Sequence, residues 1–269
     1  MPILQVDIVT LFPDMFRGAL EYSILARARA AGRVEVRLHD LRAFGLGAHR
    51  QVDDAPFGGG AGMLLRPEPL FAAIEAITGH AAGERVEGEE IVLLSPAGAP
   101  HDQRSARRLA ALTRLVLVCG RYEGVDDRVR EHACTQTLSG GDFVLSGGEP
   151  AALCVVDSVV RLLPGVLGNE ESAGEESHEG GLLDAPAWTR PAEFRGWGVP
   201  DTLLSGHHGA IERWRRAESL RLTARMRPDL LKRARQEGHV EDSELRRSDL
   251  DRSERGIMNE RAAPAGRSD

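Results

Sequence analysis

The sequence predicts an α/β protein built on a parallel sheet, followed by a smaller helical region. Three observations lead there. Leu115-Val116-Leu117-Val118-Cys119 and Ile91-Val92-Leu93-Leu94 are continuous apolar runs, the pattern of strands covered on both faces. They end in Gly120-Arg121-Tyr122-Glu123-Gly124 and Ser95-Pro96-Ala97-Gly98, so small-residue loops stand at the carboxyl ends of strands, where open α/β sheets bind ligands. The chain also opens as β-α-β, which implies a parallel pair.

Residues 5–12 read as the first strand, stopped by Pro13. From Phe16 to Ala31 apolar residues recur at helical spacing and Gly32 closes the run, so one helix is expected. Val34-Glu35-Val36-Arg37-Leu38 alternates as a strand. Between His49 and Met63, Asp53-Asp54 is followed by Gly58, Gly59, Gly60 and Gly62. This stretch has neither the Gly-Lys-Ser/Thr of a phosphate loop nor GxGxxG spacing. It is either a mobile loop near a substrate or a surface turn. Helices are expected over residues 70–77, 103–112 and 126–131, around the strands at Ile91 and Leu115.

Leu138 to Pro150 carries two double glycines around Phe143-Val144-Leu145, with Asp142 and Glu149 at the bends. Glycine tolerates positive φ and close approach to a ligand. The chain here either bends around something bound or makes two tight turns flanking an edge strand. Residues 151–163 are apolar at helical spacing and suit a buried or inter-subunit helix. Asp157 and Arg161 stand four apart on one of its faces.

Residues 164–186 alternate glycines with glutamates, the composition of a flexible linker. Residues 211–235 read as strongly helical and arginine-rich, with Ser205-Gly206-His207-His208 at the start, where free N–H groups favour an anion such as phosphate. Beyond residue 236 the chain is charged and poor in apolar positions.

At 269 residues and 42% hydrophobic the chain can bury a real core. Net charge of −7 argues against indiscriminate nucleic-acid binding by the whole surface, though not against a local basic face. Lys232 is the sole lysine, which removes Schiff-base chemistry elsewhere. Three cysteines fit no metal spacing. No apolar run spans a membrane, the first residues do not read as a secretory signal, and a cytoplasmic protein is expected.

Assembled, these stretches resemble the bacterial tRNA (guanine-N1)-methyltransferases of the TrmD family, SPOUT class, which modify guanine 37, just 3′ of the anticodon. The resemblance is carried in family order by Leu11-Phe12-Pro13, Val52-Asp53-Asp54-Ala55-Pro56-Phe57-Gly58-Gly59-Gly60, Leu94-Ser95-Pro96, Cys119-Gly120-Arg121-Tyr122-Glu123-Gly124, Gly141-Asp142-Phe143-Val144-Leu145-Ser146-Gly147-Gly148-Glu149, Trp188-Thr189-Arg190-Pro191 and Leu203-Leu204-Ser205-Gly206.

The resemblance implies a homodimer with its active site at the subunit interface. It implies a SPOUT-type parallel sheet with a deep C-terminal trefoil knot in the N-terminal domain, plus a small helical C-terminal domain. The boundaries would be residues 1–167 for the S-adenosylmethionine-binding catalytic domain, 168–180 for the acidic linker, 181–256 for the tRNA-binding domain and 257–269 for a disordered tail. Cofactor contacts would fall on Leu93, Leu94, Ser95, Pro96, Gly120, Tyr122, Glu123, Gly124, Ser139, Gly140, Gly141, Asp142, Phe143, Val144, Leu145, Gly147 and Gly148. Phe143 stands where the family often has tyrosine.

The family's base is an aspartate in the linker, which maps to Glu176, and its assisting arginine maps to Arg161. Glutamate keeps the charge and adds a methylene. His49, Asp53 and Gly62 match positions around the flipped guanine, Ser205 and His208 join the contacts to the anticodon stem-loop, and Glu123 is a candidate Mg2+ ligand.

Two alternatives stand beside this reading: a SPOUT methyltransferase acting on another RNA, and a catalytically silent RNA- or cofactor-binding protein, motivated by Glu176. A nucleotide-dependent Rossmann enzyme fails on both glycine fingerprints.

Overall fold

The computed structural model describes residues 4–167, 177–178, 181–241 and 243–244. The chain divides into two compact units, residues 1–170 and 171–269. The first runs β1 (Leu4–Thr10), α1 (Asp14–Leu20), α2 (Ser23–Ala30), β2 (Val34–Asp40), a 3₁₀ turn (Leu41–Phe44), β3 (Asp53–Asp54), β4 (Leu64–Leu65), α3 (Pro67–Thr78), β5 (Glu89–Pro100), α4 (Gln103–Ala110), β6 (Arg114–Cys119), α5 (Asp127–His132), β7 (Gln136–Ser139) and α6 (Glu149–Val160). Five of these strands form a parallel sheet in the order β2-β1-β6-β5-β7, while β3 and β4 pair antiparallel.

An all-parallel sheet must be covered on both faces, and β6 shows how the sequence meets that need. Leu115, Leu117 and Cys119 enter one core with Phe16, Leu25, Leu109 and Val156, from α1, α2, α4 and α6. Val116 and Val118 enter the other with Leu70, Ile74 and Val129, from α3 and α5. Each fully buried Val, Leu or Ile contributes roughly 1.5–3 kcal/mol over leaving it in water.

Three departures from the periodicity have physical reasons. The single helix expected over residues 16–31 is two, α1 and α2, because Tyr22 is extended (φ −124°, ψ 159°) and Ser23 has φ +57°. The bend lets Phe16 and Leu20 of one helix and Leu25 and Ala28 of the other reach the same core. Strand β7 has only four residues and no clear alternation, so it is invisible to pattern; pairing with β5 makes it. The Phe143-Val144-Leu145 segment is bends and loop rather than an edge strand, with Val144 84% exposed.

The second unit contains a hairpin, β8 (Glu193–Phe194) and β9 (Trp197–Gly198), then α7 (Asp201–Leu204), α8 (His208–Met226) and α9 (Pro228–Gln236). Leu182, Leu220, Ala234 and Val240 form its small core. Thr223 is buried there with its hydroxyl donating to the Ser219 carbonyl at 2.7 Å and accepting from the Leu183 N–H at 2.9 Å. The helical stretch expected over residues 211–235 is two helices, separated at Arg227 (φ −142°, ψ 65°). A residue before proline is pushed out of the α region, and Pro228 then opens α9. Most of the expected linker and all of residues 257–269 lie outside the described residues.

Candidate active site

The carboxyl edge of β5, β6 and β7 surrounds a cavity of about 350 Å³. Each wall is a loop whose shape the local sequence imposes. At the end of β5, Leu94 and Ala99 both register on Leu138 of β7, so the four residues between them bulge out of the ladder as the first wall. After β6, Tyr122 adopts φ +59° and the Gly124 N–H donates to the Arg121 carbonyl at 3.0 Å, closing a tight turn. After β7, the Ser139 hydroxyl donates to the Gly141 carbonyl at 2.8 Å and the Phe143 N–H reaches the same carbonyl at 2.9 Å.

Main chain packs directly on main chain behind this cavity. A Cβ on Gly98 would stand 2.5 Å from the Leu138 carbonyl carbon, and one on Gly148 would stand 2.8 Å from Cys119 Cα. The Gly148 N–H donates to the Gly120 carbonyl at 2.8 Å, and Arg121 and Gly147 form an isolated antiparallel bridge. The two glycine loops are thereby zipped together.

Of the seventeen residues expected to contact the cofactor, Leu93, Leu94, Ser95, Pro96, Gly120, Tyr122, Glu123, Gly124, Ser139, Gly140, Phe143, Val144, Leu145, Gly147 and Gly148 line this one cavity; Gly141 and Asp142 do not. Lining residues that sequence reasoning missed include Ala97, Arg121, Asp127, Arg130 and Ala151. Their only signal was adjacency to the motifs. Asp127 accepts from Arg130 Nε at 2.6 Å, and that hydrogen bond holds its carboxyl below the usual range. The charged pair on the wall therefore largely cancels.

Glu149 corrects an expectation. Rather than sitting at a bend, it occupies the first turn of α6, with no exposed surface. Its Oε1 accepts from the Thr10 hydroxyl at 2.8 Å and its Oε2 from Arg121 Nη1 at 3.2 Å. The Arg121 guanidinium also lies 4.5 Å from the centre of the Phe12 ring, within cation–π range. One buried acid thus ties the end of β1, the loop after β6 and the start of α6. Beside it, burial pushes the Cys119 thiol well above its ordinary pKa.

The loop carrying Asp53 is joined to this site. Asp53 pairs with Leu65, the Glu123 N–H donates to the Met63 carbonyl at 3.1 Å, and a Cβ on Gly62 would meet Glu123 Cγ at 2.5 Å. His49 is exposed near the start of the same excursion. Arg161 is placed differently. It ends α6, whose twelve residues span about 18 Å, and Gly165 just beyond packs on Arg33, which precedes β2. Arg161 therefore stands toward the opposite edge of the sheet from the cavity of its own chain.

Ser205 and His208 belong to the second unit. The Ser205 hydroxyl donates to the Thr202 carbonyl and accepts from the His207 N–H, while His208 opens α8, whose first turn has no side-chain cap. Glu176 lies outside the described residues. Among the described residues no three His, Cys, Asp or Glu side chains gather to hold a metal, so Glu123 is not part of a ready-made cage. No described helix is long and apolar enough to cross a membrane.

A profile described as tRNA (guanine-1)-methyltransferase TrmD matches residues 4–233. A tRNA (guanine-N(1)-)-methyltransferase of Anaeromyxobacter sp. is 59% identical over 234 residues, covering 86% of this chain and 92% of the relative. One from Chloroflexus aggregans is 54% identical over 242 residues, covering 90% and 93%. Another, from Dehalococcoides mccartyi, is 51% identical over 230 residues, covering 86% and 91%. With a match that takes in the β-sheet edge, its three loops and most of the helical second unit, the chain belongs to the tRNA (guanine-1)-methyltransferase TrmD family.

Proposed function

We propose that this protein transfers a methyl group from S-adenosylmethionine to N1 of guanine 37 in tRNA. The observation that carries the reading is the three-loop cavity at the strand ends, within a family match covering residues 4–233. The cavity suits a bent, mostly uncharged cofactor body. Its walls offer backbone N–H and C=O groups at glycines where no side chain fits, with apolar surface from Leu93, Leu145 and Ala151.

When bound, S-adenosylmethionine supplies a methyl already activated on a sulfonium. The chain's part is to hold guanine N1 in line with that methyl, exclude water and accept a proton. The N1–C bond forms as the S–C bond breaks, and the N1 proton passes to a carboxylate. We assign that base to Glu176 and the charge beside it to Arg161. Because Arg161 stands at the opposite edge of the sheet from its own cavity, we assign the completed site to a homodimer in which one subunit gives the cavity and its partner gives Arg161, at the end of α6, and Glu176. The close threading of main chain at Gly98 and Gly148 supports a trefoil knot formed by the segment from β7 into α6. The second unit would hold the anticodon stem-loop through its arginine-rich helices, contacting phosphates chiefly. A cytoplasmic location follows from that substrate.

The test is transfer of labelled methyl to two tRNA transcripts, one with guanine and one with adenine 3′ of the anticodon. Labelling of the guanine transcript alone is expected. Cofactor binding without labelling of either would favour a silent binder instead. Glu176→Gln should abolish transfer while tRNA binding persists; full activity in that variant would remove Glu176 from the role.

A further inference from the structure

The second unit carries an exposed aromatic feature that the cavity chemistry does not use. In the hairpin β8–β9, Phe194 and Trp197 are direct cross-strand partners, and they are 56% and 71% exposed. Directly opposed residues project to the same face with Cβ atoms about 5 Å apart, so the two rings stand on one face of the hairpin. At the tip, Arg195 (φ +54°) and Gly196 (φ +82°) both adopt positive φ. Two-residue hairpin turns of that shape favour Asn or Asp at the first of these positions, yet arginine occupies it. Its guanidinium carbon sits 5.2 Å from the Phe194 ring centre.

The hairpin rises from the lip of a cleft whose charged lining is Arg190, Arg215 and Arg216 together with Asp184 and Glu212. The Val199 N–H donates to the Ala192 carbonyl at 2.9 Å, closing the hairpin base, and both residues line a groove of about 1130 Å³ shared with Arg190, Arg215 and Trp188. Among the described residues, Arg216 and Arg227 are paired with acids, whereas Arg190 and Arg215 have no such partner. Residues 181–241 hold eleven Lys and Arg against eight Asp and Glu, although the whole chain is at −7. This stretch therefore carries a local excess of positive charge.

We propose that the hairpin is a base-stacking site: an unpaired base of the tRNA lies on the Phe194–Trp197 face, while Arg195, Arg190 and Arg215 hold adjoining phosphates. This rests on the tRNA reading above and adds a contact away from the methylated guanine. Aromatic side chains receive unstacked bases wherever single-stranded RNA is bound, and each such stack is sensitive to alanine substitution.

The test uses full-length protein and the guanine transcript. The Phe194→Ala/Trp197→Ala double variant should raise the KM for tRNA by about 5- to 150-fold. Its KM for S-adenosylmethionine, its kcat at saturating tRNA and its melting temperature should stay unchanged, since both rings are exposed. Phe194→Tyr and Trp197→Phe keep a π face and should stay within about threefold of the unaltered protein. Quenching of tryptophan fluorescence by tRNA should fall in Trp197→Phe. A double variant with unaltered KM for tRNA would overturn the hairpin's role while leaving the function standing. Failure of the unaltered protein to methylate either transcript would remove the function and the hairpin's role together.

Discussion

Arg121 and Glu149 form an ion pair whose acid is fully buried and whose base lines the cavity at the strand ends, with the two polar groups 3.2 Å apart. Removing one partner of a buried pair leaves an uncompensated charge, at a cost of about 3–5 kcal/mol. Glu149→Ala is therefore expected to lower unfolding stability by roughly 3 kcal/mol. Glu149→Gln, which keeps an acceptor for Thr10, should lose about 1 kcal/mol. Urea titration measures both, and an alanine variant as stable as the parent would end this account. The same alanine variant should show a raised KM for S-adenosylmethionine, since the loop carrying Gly120 loses its anchor.

Two glycines should respond oppositely to alanine. At Gly98 the new Cβ would press on the Leu138 main chain at 2.5 Å, so Gly98→Ala should destabilise the sheet edge and weaken cofactor binding. Gly18 lies on exposed helix surface in α1 with nothing within 4 Å. Gly18→Ala should stabilise by about 0.5–1 kcal/mol through helix propensity. Calorimetry of the two variants side by side is the check.

What the sequence reveals and what it conceals divide along a physical line. Strands β5 and β6 are legible because a fully covered strand must be apolar throughout, and the three loops because glycine clusters have few other uses. Glu149 is misread because a carboxylate with no exposed surface depends on Thr10 and Arg121, which lie 139 and 28 residues away. Strand β7 is missed because four residues carry too little period. The position of Arg161 relative to the cavity could not be read either. A helical run states its face, not which edge of the sheet it ends on.

His80 should make stability depend on pH. Its Nδ1 faces the Ala81 carbonyl at 3.1 Å and its Nε2 faces Glu89 at 2.7 Å. Both ring nitrogens meet acceptors, so the doubly protonated imidazolium satisfies the site and the pKa is raised, first by the Ala81 carbonyl and then by Glu89. A raised folded-state pKa gives stability that is fully present below the unfolded value, near 6.5, and is lost as pH rises through the folded value. The stability gap between the parent and His80→Ala should accordingly be larger at pH 5.5 than at pH 8.5. Equal gaps at the two pH values would contradict it.

A shared active site can be tested by mixing inactive variants. Arg161→Ala should lower kcat with cofactor binding intact. Gly140→Leu, at a position lining the cavity, should block the cofactor. If each site draws its cavity from one subunit and Arg161 from the other, co-refolding equal amounts restores about a quarter of the parent's sites. Sites contained within one chain would leave every heterodimer without an intact site, since each chain bears a lesion, so no recovery would disprove sharing.

Thiol chemistry offers a simpler check. Burial pushes Cys134 up to about 12 and Cys119 well above its ordinary range. At pH 8 neither should react with an aromatic disulfide reagent until denaturant is added, and rapid modification of either in the native protein would show that its core is open.

The close packing of main chain at Gly98 and Gly148 has a consequence for inhibition. A competitor that reads the peptide groups of these loops would meet a surface that point mutation can hardly redraw. Any side chain introduced at Gly98 or Gly148 strikes neighbouring backbone before it reaches the inhibitor. Resistance would then have to arise from the exposed rim, at Val144 or Tyr122, where side chains are free to change.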